Sequence, residues 1–276
     1  MSRKVLLSAN EAVAWAACKA GCAVASAYPG TPSTEILEQV AKFKDSIYCE
    51  WGVNEKVSME VAIGASIAGA RALTAMKHVG LNVAMDPLMT YTYVGANGGL
   101  VVVTADDPGM HSSQNEQDSR NLVKFARAAL FEPADSQETF DMVQAAFEVS
   151  EQFQVPAFVR LSTRTSHTST VVDVGDDFGP GYPERKEYVK DIRRYIPVPM
   201  FARPQRLKAQ ERTAALRAFA GETPFNRVER GDDRLGIITS GVTYQYVKEV
   251  FPEFSVLKLG FTNPLPIEQV KAFAAS

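Results

Sequence analysis

The sequence predicts an α/β protein whose mostly parallel sheet is flanked by helices. Two observations carry this prediction: short apolar segments alternate with helical segments up to residue 161, and turn-forming residues follow the apolar segments. The length of 276 residues and the 46% hydrophobic content are enough to bury a large core. Neither glycine nor proline recurs with a period, so a collagen-like or disordered chain is excluded.

The elements follow from local signals along the chain. Ser8 and Glu11 form a capping-box pattern, which predicts a helix that runs to Ala20. Segment 55–70 has a helical pattern rich in small residues, which allow a neighbour or ligand to approach closely. The predicted strands are 24–28, 47–50, 72–76, 100–104 and 157–161, and the other predicted helices are 35–43 and 136–153.

The composition changes after residue 172. Segment 173–233 is rich in proline and charged side chains, and we expect a linker there with one short helix at 210–220. A second α/β unit then begins, with strands at 235–239 and 255–259 and helices at 243–250 and 267–274. The predicted organisation is a domain at 1–172, a linker at 173–233 and an incomplete domain at 234–276.

Charge, cysteine count and hydropathy exclude several classes of protein. The formal net charge of −3 argues against a nucleic-acid-binding protein, which normally has a basic surface. Three cysteines are too few for a disulfide framework or for the four thiolates of an iron–sulfur cluster. No segment approaches the roughly 20 apolar residues that cross a bilayer, and the N-terminus lacks an export signal. We therefore expect a cytoplasmic protein with neither a nucleic-acid nor a membrane partner.

Several familiar site motifs are absent from the sequence. It has no phosphate loop, no dinucleotide-binding glycine fingerprint and no nucleophile elbow. The three histidines are far apart along the chain, so no metal site is predicted. Cys18 and Cys22 are expected to be small packing residues, since free cysteine is commonly buried.

The first candidate segment, 28–34, is a strand end that turns towards a helix. In open parallel sheets, ligands bind beyond the carboxyl ends of the strands, so this turn is well placed. Thr31 offers a hydroxyl group, and the helix start offers free N–H groups for an anion. The alternative is an ordinary rigid turn between a strand and a helix.

The second candidate is Glu60, a lone acid in the helix rich in small residues. If this carboxyl group is buried, loss of water favours its neutral form unless a partner stabilises the charge. Such an acid could exchange a proton with a heterocycle nitrogen. The alternative is a solvated charge on the outer face of the helix.

The third candidate is the polar loop 106–120, which follows a buried strand. Binding residues often collect in polar loops at the rim of a sheet. The alternative is a flexible surface loop.

These segments resemble one enzyme family. Residues 28–33, Tyr-Pro-Gly-Thr-Pro-Ser, are similar to the Y-P-x-T-P-S signature of 2-oxoacid:ferredoxin oxidoreductases, which depend on thiamine diphosphate (ThDP). Residues 60–71 resemble the helix of ThDP enzymes in which a catalytic glutamate precedes a G-A-R element by nine residues. Three further segments sharpen the resemblance to α subunits of indolepyruvate:ferredoxin oxidoreductases; these are 76–84, 105–109 and 111–118.

The resemblance implies a ThDP-binding fold, with a pyrimidine-binding (Pyr) domain at 1–172 and the start of a transketolase-C-terminal-like domain from residue 234. It implies that Glu60 is catalytic and contacts the N1′ nitrogen of the cofactor's aminopyrimidine ring. Glu55 takes this role if the helix register is shifted. The other residues that the resemblance places at the cofactor are Tyr28, Pro29 and Gly30.

The resemblance also implies an activity. Family members convert aryl pyruvates and CoA to aryl-acetyl-CoA, CO2 and reduced ferredoxin. Thr31 and His111 would then approach the substrate, and Arg120 would bind its carboxylate. The alternatives are a related enzyme acting on pyruvate, 2-oxoglutarate or a branched-chain acid, and a non-catalytic assembly subunit with the same fold.

Parts of such an enzyme lie outside this sequence. Complete α subunits carry a second ThDP domain, which holds Mg2+ and the diphosphate, and a tail with cysteine clusters. The sequence has neither, so we expect a truncated or split subunit that is inactive alone. The expected partners are a β subunit, ferredoxin, and a second copy or companion subunit that supplies the diphosphate domain. Iron–sulfur clusters and CoA are expected in the complete enzyme only.

Overall fold

The computed structural model describes residues 3–276, which form strands and helices around a seven-stranded sheet. The strands are β1 (Lys4–Ser8), β2 (Val24–Ala27), β3 (Tyr48–Trp51), β4 (Ala72–Lys77), β5 (Leu100–Asp106), β6 (Ala129–Phe131), β7 (Ala157–Ser162), β8 (Ser169–Asp173), β9 (Asn226–Glu229), β10 (Asp232–Ser240), β11 (Phe254–Leu259) and β12 (Phe261–Asn263). The helices are α1 (Ala9–Lys19), α2 (Thr34–Val40), α3 (Glu55–Ile67), α4 (His78–Val94), α5 (Ser119–Ala126), α6 (Ser136–Phe153), α7 (Thr163–His167), α8 (Ile192–Tyr195), α9 (Pro199–Glu222), α10 (Thr243–Val250) and α11 (Ile267–Ala274).

The large sheet has the strand order β12-β6-β7-β5-β4-β2-β3. Its neighbouring strands are parallel, except that β12 runs antiparallel to β6. All five strands predicted before residue 172 are present as β2, β3, β4, β5 and β7. β4 and β5 are buried along their whole length because helices cover both faces of the sheet. The predicted α/β fold class is confirmed.

Two helical layers enclose the sheet. Helices α1, α2 and α6 cover one face, where Val13 and Phe147 are fully buried. Helices α3, α4 and α5 cover the other face, where Met59 and Leu81 are fully buried. Each layer turns its apolar stripe towards the strands, which is the arrangement that buries most apolar surface.

The start of α1 is set by the predicted capping box. The Ser8 hydroxyl accepts a hydrogen bond from the Glu11 N–H at 3.2 Å. The Glu11 carboxylate accepts one from the Ser8 N–H at 2.8 Å. These reciprocal bonds satisfy two N–H groups that would otherwise lack a partner at the helix start.

Cys18 and Cys22 are both buried, as expected of packing residues. Cys22 lies beyond the end of α1 rather than inside it. Burial raises the pKa of the Cys22 thiol to about 12, so this group stays protonated at neutral pH.

Six elements before residue 174 were not predicted from the sequence: β1, α4, α5, β6, α7 and β8. Helix α4 contains Gly80 and Pro87, which weaken a helical pattern in the sequence. Helix α5 starts inside the segment predicted as a polar loop, with Asp118 as its cap. Strand β6 has only three residues, too few for a periodic signal.

The helix predicted at 210–220 within segment 173–233 is longer than predicted. Helix α9 covers Pro199–Glu222, with Pro199 at its first position, where a missing N–H costs nothing. Pro204 inside it resembles a helix breaker in the sequence. Arg194 and Arg212 from this segment donate hydrogen bonds to carbonyl groups of residues 92–96, at and just beyond the end of α4. These hydrogen bonds attach the segment to the end of α4, where the two cations also offset the negative end of the helix dipole.

The strands and helices predicted after residue 234 are all present as β10, α10, β11 and α11. β10 pairs with β11 in parallel, and β9 pairs with β11 in an antiparallel arrangement. The chain then returns to the large sheet through β12. The buried Lys258 of β11 forms a 2.5 Å ion pair with Glu138 of α6, which further joins the two regions. Within residues 3–276, no helix is long and apolar enough to cross a bilayer.

Candidate functional site

The carboxyl ends of β2, β3, β4 and β5 meet at one edge of the large sheet, because these strands are parallel neighbours. Segment 28–34 follows β2, the start of α3 follows β3, and loop 107–118 follows β5. Ligands of open parallel sheets bind at this edge. This edge of the sheet therefore brings together the turn at 28–34, the polar loop after β5 and the start of the helix that carries Glu60.

Glu60, for which the sequence left a buried and a solvated position open, is exposed. The buried face of α3 contains Glu55, Ser58, Met59, Ala62 and Ser66. At 3.6 residues per turn, a position five residues after Glu55 points away from that face. The outer-face alternative is the arrangement that the structure has.

Glu55 is the buried acid of α3, with 8% of its surface exposed. It is the first residue of the helix, directly after the Asn54 cap, whose side chain accepts a hydrogen bond from the Val57 N–H at 3.0 Å. Its side chain lies against α4, since a Cβ added at Gly80 would come within 2.5 Å of Oε1. Within residues 3–276, no polar group forms a hydrogen bond or ion pair with the Glu55 carboxylate. A buried carboxylate without a partner is available to an external ligand.

The turn at 28–34 is held by its own hydrogen bonds. The Gly30 N–H donates to the Thr34 hydroxyl at 2.8 Å, and the Ser33 hydroxyl donates to the Gly30 carbonyl at 2.7 Å. The Thr31–Pro32 peptide bond is cis. Tyr28 and Thr31 remain exposed at the surface of the turn. The two hydrogen bonds therefore hold the turn, and Thr31 is accessible at its surface.

Loop 107–118 is anchored rather than flexible. The Asp107 carboxylate accepts hydrogen bonds from the Ser112 N–H, the Ser113 hydroxyl and the Thr163 hydroxyl, each at 2.7 Å. Burial alone would raise the pKa of Asp107, but these hydrogen bonds outweigh it and hold the pKa well below its usual range. The Asp107 carboxylate is therefore charged and fixes the path of the loop that carries His111.

Lys77, the last residue of β4, and His78, the first residue of α4, also form hydrogen bonds with loop 107–118. The Lys77 ammonium donates a hydrogen bond to the Ser112 carbonyl at 2.9 Å, and His78 Nε2 lies 3.0 Å from the Asn115 carbonyl oxygen. The Lys77 stem also contacts the turn at 28–34, because a Cβ at Gly30 would lie 3.0 Å from Lys77 Cδ. Sequence reasoning gave Lys77 no role. The available signal was a charged residue directly after a buried strand.

Arg160, which sequence reasoning also missed, is the centre of a buried ionic cluster. Its guanidinium group donates to Asp106 at 2.7 Å and to Glu132 at 2.8 Å. Both carboxylates are buried. Such a pair of carboxylates compensates the cost of removing the guanidinium from water. The sequence did not single out Arg160, because this residue lies within the otherwise apolar strand β7.

A cavity of about 760 Å³ lies between this edge of the sheet and the start of α10. His111, Arg120 and Arg160 line it from one side and Tyr246 lines it from the other. Arg120 is exposed, and its guanidinium donates three hydrogen bonds to the Asp118 carboxylate, at 2.8, 3.0 and 2.8 Å. The structure thus brings His111 and Arg120 together, while residues 28–34 lie outside the lining of this cavity.

A mostly parallel sheet with helices on both faces, and with a buried acid and two hydrogen-bonded polar segments at the carboxyl ends of its strands, has the layout of ligand-binding α/β domains. A family model described as pyruvate flavodoxin/ferredoxin oxidoreductase, thiamine diphosphate-binding, matches residues 15–212. The chain belongs to this family. The family resemblance drawn from the sequence motifs is thereby confirmed.

Two relatives share close to half of their matched residues with this chain. The indolepyruvate oxidoreductase subunit IorA of Methanothermobacter thermautotrophicus is 45% identical over 98% of this chain and 45% of its own length. The subunit of the same name from Pyrococcus abyssi is 43% identical over 98% of this chain and 43% of its own length. The chain therefore spans less than half the length of these relatives.

Relatives with other substrate names are more distant. The ketoisovalerate oxidoreductase subunit VorA of Pyrococcus furiosus is 34% identical over 62% of this chain and 45% of its own length. Among solved structures, 2-oxoglutarate:ferredoxin oxidoreductase from Magnetococcus marinus superposes with a TM-score of 0.81 at 18% identity. That match covers 99% of this chain and 56% of the other. It shows that the two chains share a fold.

Proposed function

We propose that this chain is the pyrimidine-binding part of a ThDP-dependent oxidoreductase that decarboxylates aryl 2-oxoacids such as indolepyruvate. The products would be an aryl-acetyl-CoA, CO2 and reduced ferredoxin. The observation that carries the proposal is the buried, unpartnered carboxylate of Glu55 at the carboxyl edge of the sheet. The names of the IorA relatives support the choice of indolepyruvate.

The donor set at this edge fits the aminopyrimidine half of ThDP. Glu55 would hold a proton shared with the N1′ nitrogen, and Gly80 leaves room for the Glu55 side chain beside α4. This assigns to Glu55 the catalytic role that the sequence resemblance gave to Glu60. When bound, ThDP supplies the carbon nucleophile and the electron sink for decarboxylation. Tyr28, Pro29 and Gly30 stay predicted contacts of the cofactor.

The substrate would lie between the turn at 28–34 and loop 107–118. Thr31 and His111 stay predicted substrate contacts, and the anchoring of both segments supports this role. Arg120 stays a predicted contact of the substrate carboxylate, although its guanidinium already pairs with Asp118. Preformed loops reduce the entropic cost of ordering a bound substrate.

The complete enzyme would need further parts. We propose that a second copy or a companion subunit supplies the diphosphate-binding domain with its Mg2+. A β subunit, iron–sulfur clusters, CoA and ferredoxin would complete the assembly. The subunit names of the relatives support a multi-subunit enzyme. The domain boundaries at 172 and 234 and the cytoplasmic location remain predictions.

A second candidate is a branched-chain 2-oxoacid oxidoreductase, which the VorA relative favours. Substrates separate the two candidates. The assembled enzyme should turn over indolepyruvate faster than 2-ketoisovalerate, pyruvate or 2-oxoglutarate at equal concentrations. A preference for any of the other three acids would refute the aryl assignment.

Cofactor binding tests the proposal independently of substrate choice. Calorimetric titration of ThDP with Mg2+ should show tight binding when the partner with the diphosphate domain is present, and weak or absent binding to this chain alone. Tight ThDP binding by the isolated chain would contradict the shared-site proposal. Unchanged turnover in the Glu55→Gln enzyme would favour the non-catalytic assembly role.

A further inference from the structure

Lys77 is a buried cation that has no anionic partner among residues 3–276. It is the last residue of β4 and has 8% of its surface exposed. Its ammonium group makes a hydrogen bond to the Ser112 carbonyl at 2.9 Å. Across the part of the chain that the structure describes, no carboxylate forms an ion pair with it.

Two other poorly exposed cations of the chain pair with carboxylates, whereas Arg194 and Arg212 donate hydrogen bonds to carbonyl groups. Arg160 contacts the carboxylates of Asp106 and Glu132, and Lys258 contacts that of Glu138. A charge removed from water without a partner opposes folding, and removing the charge would relieve that cost. An unpaired ammonium at a ligand-binding edge is therefore suited to an anion from outside the chain.

The position of Lys77 links both predicted substrate-binding segments. Its stem contacts Gly30, next to Thr31, while its ammonium contacts Ser112, next to His111. The ammonium therefore lies between the turn at 28–34 and loop 107–118. An anion bound there would be within reach of groups from both segments.

Arg120 is less suited to the same anion. Its guanidinium group already donates three hydrogen bonds to Asp118 and lies 3.9 Å from the Glu132 carboxylate. A new carboxylate would have to compete with these two. The ammonium of Lys77 has three N–H donors, of which Ser112 uses one. Two donors remain for the oxygens of a ligand.

We propose that Lys77 binds the carboxylate of the 2-oxoacid substrate. The inference rests on the proposed function, since that function supplies the anion. The ammonium would select acids over aldehydes and ketones of the same shape, because only the acid neutralises the buried charge. It would also hold the carboxylate between Thr31 and His111.

Binding of two unreactive probes to the assembled enzyme tests this role. 3-Indolepropionate has the shape and charge of indolepyruvate without its keto group, and 3-indolepropionamide is its uncharged match. We expect Lys77→Met to weaken binding of the acid about 10- to 100-fold, the range of a lost charged hydrogen bond, and to change the Kd of the amide less than about twofold. Isothermal titration calorimetry measures both values.

Two further lysine variants complete the design. Lys77→Gln keeps a donor for the Ser112 carbonyl and loses the charge, so it decides the question even if Lys77→Met fails to fold. Lys77→Arg should recover most of the affinity for the acid. Lys42→Met is the control. It removes an exposed lysine that lies outside both predicted substrate-binding segments, so both Kd values should stay unchanged.

The possible failures are distinguishable. One outcome is that Lys77→Met weakens binding of the acid and of the amide equally, while the unmodified enzyme turns over indolepyruvate. Lys77 would then only position loop 107–118. This result would overturn the inference and leave the proposed function standing. An unmodified enzyme that binds neither probe and turns over no 2-oxoacid would refute the proposed function and the inference with it.

Discussion

The carboxylate of Glu55 occupies the space that a side chain at Gly80 would need: a Cβ there would lie 2.5 Å from Oε1 and 2.6 Å from Cγ of Glu55. The first turn of α4 and the first residue of α3 are thereby in direct contact. This contact sets the position of the only acidic side chain on the buried face of α3. The two helices together place that carboxylate at the carboxyl edge of the sheet.

Replacing Glu55 should remove catalysis without unfolding the protein. We expect Glu55→Gln to lower kcat of the assembled enzyme about 100- to 10,000-fold, the usual contribution of a positioned acid or base. Steady-state kinetics with indolepyruvate measures the loss. Glu60→Gln is the matched control, because its exposed side chain is on the same helix but on another face. A loss in the Glu60 variant but not in the Glu55 variant would reverse the assignment.

A methyl group at residue 80 should displace the Glu55 side chain. We expect Gly80→Ala to lower the free energy of unfolding by about 1–3 kcal/mol through overcrowding, less what alanine gains in the helix. Its turnover should fall towards that of Glu55→Gln. The double variant Glu55→Ala, Gly80→Ala should regain most of the stability, because the two changes share one contact. Additive losses in urea denaturation would contradict this explanation.

Arg160 should be essential to the stability of the site. Arg160→Met leaves Asp106 and Glu132 as buried carboxylates without their cation, and we expect a loss of about 3–5 kcal/mol in the free energy of unfolding. Urea denaturation measures this value. Lys56→Met breaks an exposed ion pair with Asp86 and should cost less than about 1 kcal/mol. Similar losses in both variants would argue against a special role for the buried cluster.

The hydrogen bonds to the Asp107 carboxylate should stabilise the protein at neutral pH, and this stabilisation should be lost in acid. Because its pKa is lowered in the folded state, its contribution is fully present above the unfolded value of about 3.9 and is lost as pH falls through the lower folded value. We expect Asp107→Asn to lower Tm by about 5 °C at pH 7. This difference should shrink below about pH 4. A difference that is constant from pH 7 to pH 3 would exclude the carboxylate charge as its cause.

The sequence did not predict which face of α3 is buried. The helix was predicted, and its small residues were recognised, but nearly every position around Glu60 is apolar or small. Such a pattern does not show which face is buried. The neighbouring helix α4, whose Gly80 selects Glu55, was itself not predicted because Gly80 and Pro87 weaken its signal. The acid on the buried face was therefore identifiable only once both helices were packed.

Lys77 and Arg160 illustrate a second limit. Both are charged residues at the ends or interior of buried strands, and their roles depend on partners far along the chain: Ser112 for Lys77, and Asp106 and Glu132 for Arg160. Motifs and local spacing carry no information on such pairings. Parallel sheets in particular bring together segments that are distant in sequence.

The sequence by itself determined the α/β class, five strands of the large sheet, the capped start of α1, and the turn and loop at the carboxyl edge where the candidate site is proposed. These features depend on local periodicity, caps and turn residues, which neighbouring positions specify. Only the tertiary structure decided that Glu55 rather than Glu60 is buried and that, within the described residues 3–276, Lys77 has no anionic partner. Burial and charge compensation depend on which helices and loops pack together, and that packing is a property of the whole fold.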